Sequence, residues 1–141
     1  MTEIKVKDTK AKISLDSVIF EELIIKRSPK KQGDFEMNIF PAGRFLKNNK
    51  KFQLNLVIDL VDKNEAFTMK LNSVALFSIH DPESIKNETA LFYVNAPAIL
   101  FPYVRAYVNS ITSLSGLKPV VLPIMNLLFL KDELMKNISY E

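Results

Sequence analysis

Residues 95–126 read NAPAILFPYVRAYVNSITSLSGLKPVVLPIMN, and their period sets how the rest of the chain must be arranged. Leu100, Val104, Tyr107, Ile111 and Leu114 recur at helical spacing and predict a single apolar stripe. Beside it Ala106, Ser110 and Ser113 form a stripe of small residues that lets another backbone approach closely. Asn95 is expected to cap this helix, with Pro97 in the first turn, where a missing N–H costs least. Gly116 is a natural C-terminal stop. Pro102 either kinks the first turns or marks a later start. After an extended stretch from Pro119 to Pro123, Asn126 is expected to cap a last helix carrying Leu127, Leu130, Leu134 and Ile138 on one side.

The wider region, residues 89–130, contains only two charged residues, Arg105 and Lys118. Its prolines and Gly116 interrupt the run before any apolar helix of about 20 residues can form, so no direct membrane insertion is expected. That leaves three uses for so much apolar length: a well-buried core, a surface shared with other copies, or a groove for apolar segments of other chains. The stripe predicts self-association through Leu100, Tyr103, Val104, Ala106, Tyr107, Ser110, Ile111 and Leu114.

Upstream the period changes to two. Phe52, Leu54, Leu56, Ile58 and Leu60 alternate with Gln53, Asn55 and Asp59, which is the pattern of a strand covered on one face. Phe67, Met69, Leu71, Ala75, Phe77 and Ile79 repeat it after the turn Asp62-Lys63-Asn64-Glu65, so 51–61 and 66–79 form a hairpin. Phe35, Met37 and Ile39 begin a shorter strand, ended by Pro41 and Gly43. Ile13, Leu15 and the run Val18 to Ile25 predict a first strand that is long, or broken by a bulge near Glu21-Glu22. Residues 26–34 form a polar connection and 81–88 a loop. The expected architecture is one α+β domain over residues 1–141: a four-stranded antiparallel sheet followed by two helices.

Composition removes most chemistry. The 141 residues include no cysteine, one histidine (His80) and three glycines, so thiolate or His-clustered metal sites and Gly-rich phosphate loops are not available. No cofactor and no metal is expected. His80 beside Asp81 lacks a nucleophile motif and reads as a loop histidine. Glu21 and Glu22, as strand neighbours, face opposite sides, so no catalytic residue and no enzyme activity is predicted. The net charge is +3, concentrated in residues 1–51, which carry 12 Lys and Arg against 7 Asp and Glu. Acidic residues interrupt this field and no aromatic row accompanies it, so solvated loops are expected rather than a nucleic-acid interface. The first ten residues, MTEIKVKDTK, lack an apolar run, which predicts a cytoplasmic protein.

Residues 95–126 resemble the signature of the SecB family of protein-export chaperones, carried here by Leu100, Phe101, Pro102, Tyr103, Arg105, Gly116, Pro119, Leu122, Pro123, Ile124 and Asn126. Glu65-Ala66-Phe67 followed by Ala75-Leu76-Phe77-Ser78-Ile79 looks like the family's last two strands. The resemblance implies a four-stranded sheet with two helices, assembled as a homotetramer (a dimer of dimers) with the long helices sandwiched between subunits. It also implies ATP-independent holding of unfolded preproteins, handed on to the SecA motor of the Sec translocase.

The client groove expected from this resemblance comprises Phe35, Met37, Leu117, Val120, Val121, Leu122, Ile124, Met125 and Leu128. Several features depart from the family pattern. Typical members are strongly acidic, whereas this chain is basic and places Lys70, and in one alignment Lys26, where the motor-docking face carries carboxylates. The connection Lys26 to Asp34 has no aromatic residue. These departures predict weak or absent docking of SecA. They leave two readings: a general export holdase, or a SecB-like chaperone dedicated to one client such as the antitoxin of a toxin–antitoxin–chaperone module.

Overall fold

A computed structural model describes residues 11–141; the expectation drawn from residues 1–10 falls outside them. Four long strands, β1 (Ile13–Arg27), β2 (Phe35–Leu46), β3 (Lys51–Asp62) and β4 (Phe67–Ile79), pair antiparallel, and a short β5 (Ile138–Tyr140) joins parallel to β2. The sheet order is β1-β4-β3-β2-β5, so the expected four strands become five. The predicted hairpin forms in register, with Phe52 opposite Phe77, Ile58 opposite Leu71 and Leu60 opposite Met69. All six of these side chains face the helices and are buried, each stabilising the fold by about 1.5–3 kcal/mol.

Asp62 holds the hairpin turn. Its carboxylate accepts backbone N–H bonds from Gly33 (2.8 Å), Asn64 (2.9 Å) and Ala66 (3.0 Å). Burial opposes the charge, yet these three donors together hold its pKa below the usual carboxylate value. The turn is thereby tied to the connection after β1. Glu65 completes it with φ 62°.

Both alternatives for the first strand hold at once: β1 is long, and it is bulged between Leu15 and Ser17 and between Phe20 and Glu22. β2 departs from expectation. It runs through Pro41 and Gly43 to Leu46 because both residues suit an edge. The carbonyl of Pro41 points away from β3 and accepts from Asn137 Nδ2 (3.3 Å), so its missing N–H also falls on the outer side, where no β3 bond is lost. At Gly43 an added Cβ would lie 2.7 Å from Ile138 Cδ1 and 2.8 Å from Phe52 Cζ, so only glycine lets β5 and the core close together there.

The helical half also differs at its ends. A single turn, α1 (Ser84–Asn87), forms inside the expected loop 81–88. The helical run then begins before Asn95, as a wide π turn over Leu91–Asn95, and continues into α2 (Ala96–Leu114). Asn95 therefore makes no cap; the N–H of Ala96 reaches back to the carbonyl of Leu91, five residues away, just ahead of Pro97. Pro102 neither starts nor ends the helix. It and Ala98, whose carbonyl loses its donor, both lie on the exposed side.

Gly116, at φ 79°, stops α2 as expected, and the N–H of Leu117 bonds the carbonyl of Thr112 at 3.1 Å. Asn126 caps as expected, accepting from the N–H of Leu128 (3.0 Å). The helix it opens is a 3₁₀ turn (Leu127–Leu130) followed by α3 (Lys131–Lys136), with Leu127, Leu130 and Leu134 buried. Ile138 lies beyond it, in β5, because Asn137 ends the helix and donates to both Glu133 O and Pro41 O.

Candidate functional site

In the helical half, two surfaces carry apolar side chains that the fold does not cover. The first is the outer side of α2. The core side of that helix is formed by Leu100, Phe101, Val104, Val108 and Thr112. Leu100 and Val104 are thus enclosed within the subunit and have no surface to offer a second copy, which narrows the predicted interface. Tyr107 and Ile111 are half-buried; the Tyr107 ring stacks on Phe20 of β1 with centroids 4.0 Å apart. Tyr103, Ala106, Ser110 and Leu114 are exposed, Leu114 to 82%. Grooves run along both sides of this strip. One, of about 590 Å³, lies against β1 and is lined by Leu15, Val18, Phe20, Tyr103 and Tyr107. The other, of about 370 Å³, lies against the extended segment and is lined by Pro102, Arg105, Asn109, Val121 and Leu122. Ala106 and Ser110 border both, so the small-residue stripe is a ridge between two troughs.

The second surface is the extended segment after Gly116. It alternates: Leu117, Val120 and Leu122 point into the core, while Val121 (70% exposed) and Ile124 (89%) point out. Of the predicted groove residues, Leu117, Val120 and Leu122 are consequently core and not available surface. Phe35, Met37 and Met125 are half-buried, and Leu128 is exposed. Phe129 and Met135, also exposed, were not among the residues expected there. The signal was present in the helical period, which places both off the buried stripe of Leu127, Leu130 and Leu134.

Polar contacts fix this segment against the sheet. Gln32 pairs with the backbone of Lys118 in both directions, Nε2 to the carbonyl (3.1 Å) and Oε1 from the N–H (2.9 Å), as a strand partner would. Thr112, fully buried, donates to the carbonyl of Val108 (2.7 Å) and accepts from the N–H of Val120 (2.9 Å). No sequence signal pointed to either anchor, since Gln32 and Lys118 lie far apart in the chain. Between Gln32–Phe35 and Lys118–Val121 a groove of about 360 Å³ opens at the start of β2.

Along that edge the backbone is unfilled. The carbonyls of Pro41 and Phe45 and the N–H of Gly43 point outward from β2, so by the two-residue alternation those of Phe35, Met37 and Ile39 do as well. Among the described residues none of these three has a backbone partner on that side. Their side chains pair in register with Asp62, Leu60 and Ile58 on the helix-covered face and are half-buried.

The opposite face of the sheet carries Lys70, in register with Asp59 on one side and Ile24 on the other. Lys26 lies on the same face, opposite Thr68. A groove of about 320 Å³ gathers Ile24, Lys26, Asp59, Val61, Thr68 and Lys70, so this face mixes charges of both signs with exposed Ile24 and Val61. His80 is an exposed loop residue whose Nε2 lies 2.8 Å from Ser14 Oγ, while Asp81 Oδ1 accepts from the N–H of Glu83. No group of three or more metal-ligating side chains occurs among the described residues, and no described helix is long and apolar enough to cross a membrane.

The comparisons with known proteins agree with this architecture. The family model described as preprotein translocase subunit SecB matches residues 3–136. The protein-export protein SecB of Anaplasma phagocytophilum is 33% identical over 76 residues, 52% of this chain and 48% of that protein. That of Chromobacterium violaceum is 32% identical over 97 residues, 67% of this chain and 64% of that protein. The matched stretch therefore spans about half to somewhat under two thirds of these relatives. An uncharacterised protein of Methanocaldococcus jannaschii is 32% identical over 111 residues, 74% of this chain and 72% of its own length. The same fold occurs in the SecB-like chaperone of Mycobacterium tuberculosis, solved with a ChAD peptide from an antitoxin. It is 20% identical with a TM-score of 0.69, covering 81% of this chain and 88% of that one. With nearly its whole length matched by the family model, the chain belongs to the SecB family.

Proposed function

We propose that this protein is an ATP-independent holding chaperone that binds non-native polypeptides and performs no catalysis. One juxtaposition carries the reading: the open backbone edge at Phe35, Met37 and Ile39 begins beside the exposed apolar segment around Val121. An unfolded chain offers both of the things this surface lacks. Its backbone supplies N–H and C=O partners for the edge, and its apolar side chains cover Val121, Ile124 and Leu128. Such recognition depends little on client sequence. The protein is expected to work in the cytoplasm as a homotetramer, a dimer of dimers joined through the outer side of α2 at Tyr103, Ala106, Ser110 and Leu114.

The test is aggregation of a denatured reporter without nucleotide. The wild-type chain in excess slows it, and the double variant Val121→Asp with Ile124→Asp loses most of that protection while keeping its fold by circular dichroism. A reporter that aggregates equally fast with and without the wild-type protein would falsify the holdase reading.

The client range separates the two forms of this proposal. Likeness in fold to the mycobacterial chaperone, whose solved complex holds an antitoxin peptide, and a client-side connection (28–34) without aromatic residues favour a dedicated client. Protection of several unrelated reporters to similar extents favours general export; protection of a single class favours dedication. The mixed charge around Lys70 and Asp59 supports weak or absent docking of SecA, to be checked by calorimetry at two salt concentrations.

A further inference from the structure

The edge of β2 is half open and half closed, and what closes it is the chain itself. From Pro41 to Phe45 the outward backbone groups are taken by the segment Asn137–Glu141. Asn137 Nδ2 donates to Pro41 O, Gly43 N donates to Asn137 O (3.1 Å), and Glu141 N donates to Phe45 O (3.0 Å). The Glu141 carboxylate also accepts from the N–H of Lys47 (2.7 Å), and the Tyr140 ring stacks on Phe45 with centroids 5.3 Å apart. Yet the strand has only three residues, Tyr140 is exposed, and Ile138 is half-buried. The seat is better built than the occupant: the Phe45 ring is almost fully buried and also packs on Phe52 and Phe92 of the core, whereas Tyr140 is left exposed.

We infer that β5 is a displaceable strand that keeps the far half of the client edge closed, and that an extended apolar polypeptide segment gains the whole of β2 by displacing it. This rests on the reading of the free half, Phe35 to Ile39, as the site where such a segment first pairs. A segment pairing along the free half toward Pro41 runs directly into Asn137. Its pairing then either stops after three outward-facing residues or continues by replacing β5 with equivalent backbone bonds. Replacement exchanges like for like at Gly43 and Phe45, so opening costs little once a client is in place. The side chains of Ile138 and Tyr140 occupy the positions that alternate client side chains take afterwards.

The register supplies a lock. Arg44 and Ser139 are paired positions, both exposed, on adjacent strands. Such Cα atoms lie about 4.8 Å apart, within the roughly 4.4–6.8 Å that a disulfide spans. The chain has no cysteine of its own, so Arg44→Cys with Ser139→Cys forms one defined crosslink. The probe is reduced, carboxymethylated lactalbumin, an unfolded polypeptide whose thiols are blocked. The oxidised double variant is expected to bind it about tenfold more weakly than the same protein reduced, the size of one or two net backbone hydrogen bonds. Ser139→Pro, which removes the β2-facing N–H between Asn137 and Glu141, is expected to bind more tightly than wild type. Equal affinity in both redox states, with the wild type binding normally, overturns the inference and leaves the chaperone reading standing. A lock that weakens binding only by changing the oligomer, seen by light scattering on the same samples, also overturns it. Absence of binding by the wild type at any concentration removes the chaperone reading and the inference together.

Discussion

The two sides of α2 show how one helix serves two solvents. Leu100, Val104, Val108 and Thr112 follow one another at four-residue steps and are fully buried against the sheet. Tyr103, Ala106 and Ser110 follow an equally regular path on the other side and remain exposed, flanked by grooves. The buried side is aliphatic apart from Thr112; the exposed side sets one large ring, Tyr103, beside the small Ala106 and Ser110, and nothing in the subunit covers them. A core side chain is held by neighbours on all sides, whereas a ridge between two troughs has the shape that accepts another helix. Hydrophobicity alone does not separate the two sides; packing does.

Substitutions that treat the sides differently test this contrast. The largest effect is expected at Leu100. Truncation to alanine leaves a cavity among fully buried neighbours and lowers stability by about 2–5 kcal/mol, measured by urea unfolding. With copies joined through the outer side of α2 as proposed, Tyr103→Asp should act the other way, dissociating that proposed assembly in light scattering while the subunit keeps its unfolding midpoint to within a few degrees, because a charge at such a contact is costly only there. If Tyr103→Asp unfolds the chain instead, the two sides are not distinct. Thr112→Val keeps the shape on the buried side and removes the hydroxyl that joins Val108 O to Val120 N. The N–H of Val120 is then left without its acceptor, and a loss of about 1–3 kcal/mol is expected, with faster amide exchange along residues 117–122.

The smallest effect lies at the far edge of the sheet, where β1 meets β4. Asp16 is held below its usual pKa first by its hydrogen bond to Lys51 (2.7 Å) and then by that to Ser78. A depressed carboxylate contributes stability above its unfolded pKa and loses it as pH falls through the lower, folded value. The melting temperature of wild type should therefore exceed that of Asp16→Asn at neutral pH, and the gap should close in acid below the ordinary carboxylate range. Partial exposure of both partners keeps the difference small.

Most of the fold was legible in the chain because its periods are clean. The alternation in 52–60 and 67–79 survives in the register, since one face is wholly buried and a slip of one residue would expose it. Gly116 and Asn126 performed the local roles their chemistry suggests. Pro41, by contrast, is a strand breaker only where its N–H is needed, and that depends on which side the neighbouring strand lies. The stripe drawn through Tyr107 and Ile111 missed Val108 and Thr112, because several helix faces are apolar enough to qualify and only contact with the sheet chooses among them.

The same division holds at the candidate site. Its ingredients could be named, but burial removed Leu117, Val120 and Leu122 from the surface and left Val121, Ile124 and Leu128 on it. An extended segment must send alternate side chains to opposite sides, and its orientation is set by Gln32 and Thr112 through contacts that no local pattern encodes.

By itself the amino-acid sequence determined the strand and helix periods, the stop at Gly116, the cap at Asn126, and a helical region too apolar to be left wholly to water, because these depend on residues near one another in the chain. Tertiary structure alone decided which side of α2 is core, where β2 stays open, and that β5 closes the rest of it. Those outcomes depend on which distant groups reach a given side chain or N–H first, and that competition is settled only when the sheet and helices meet.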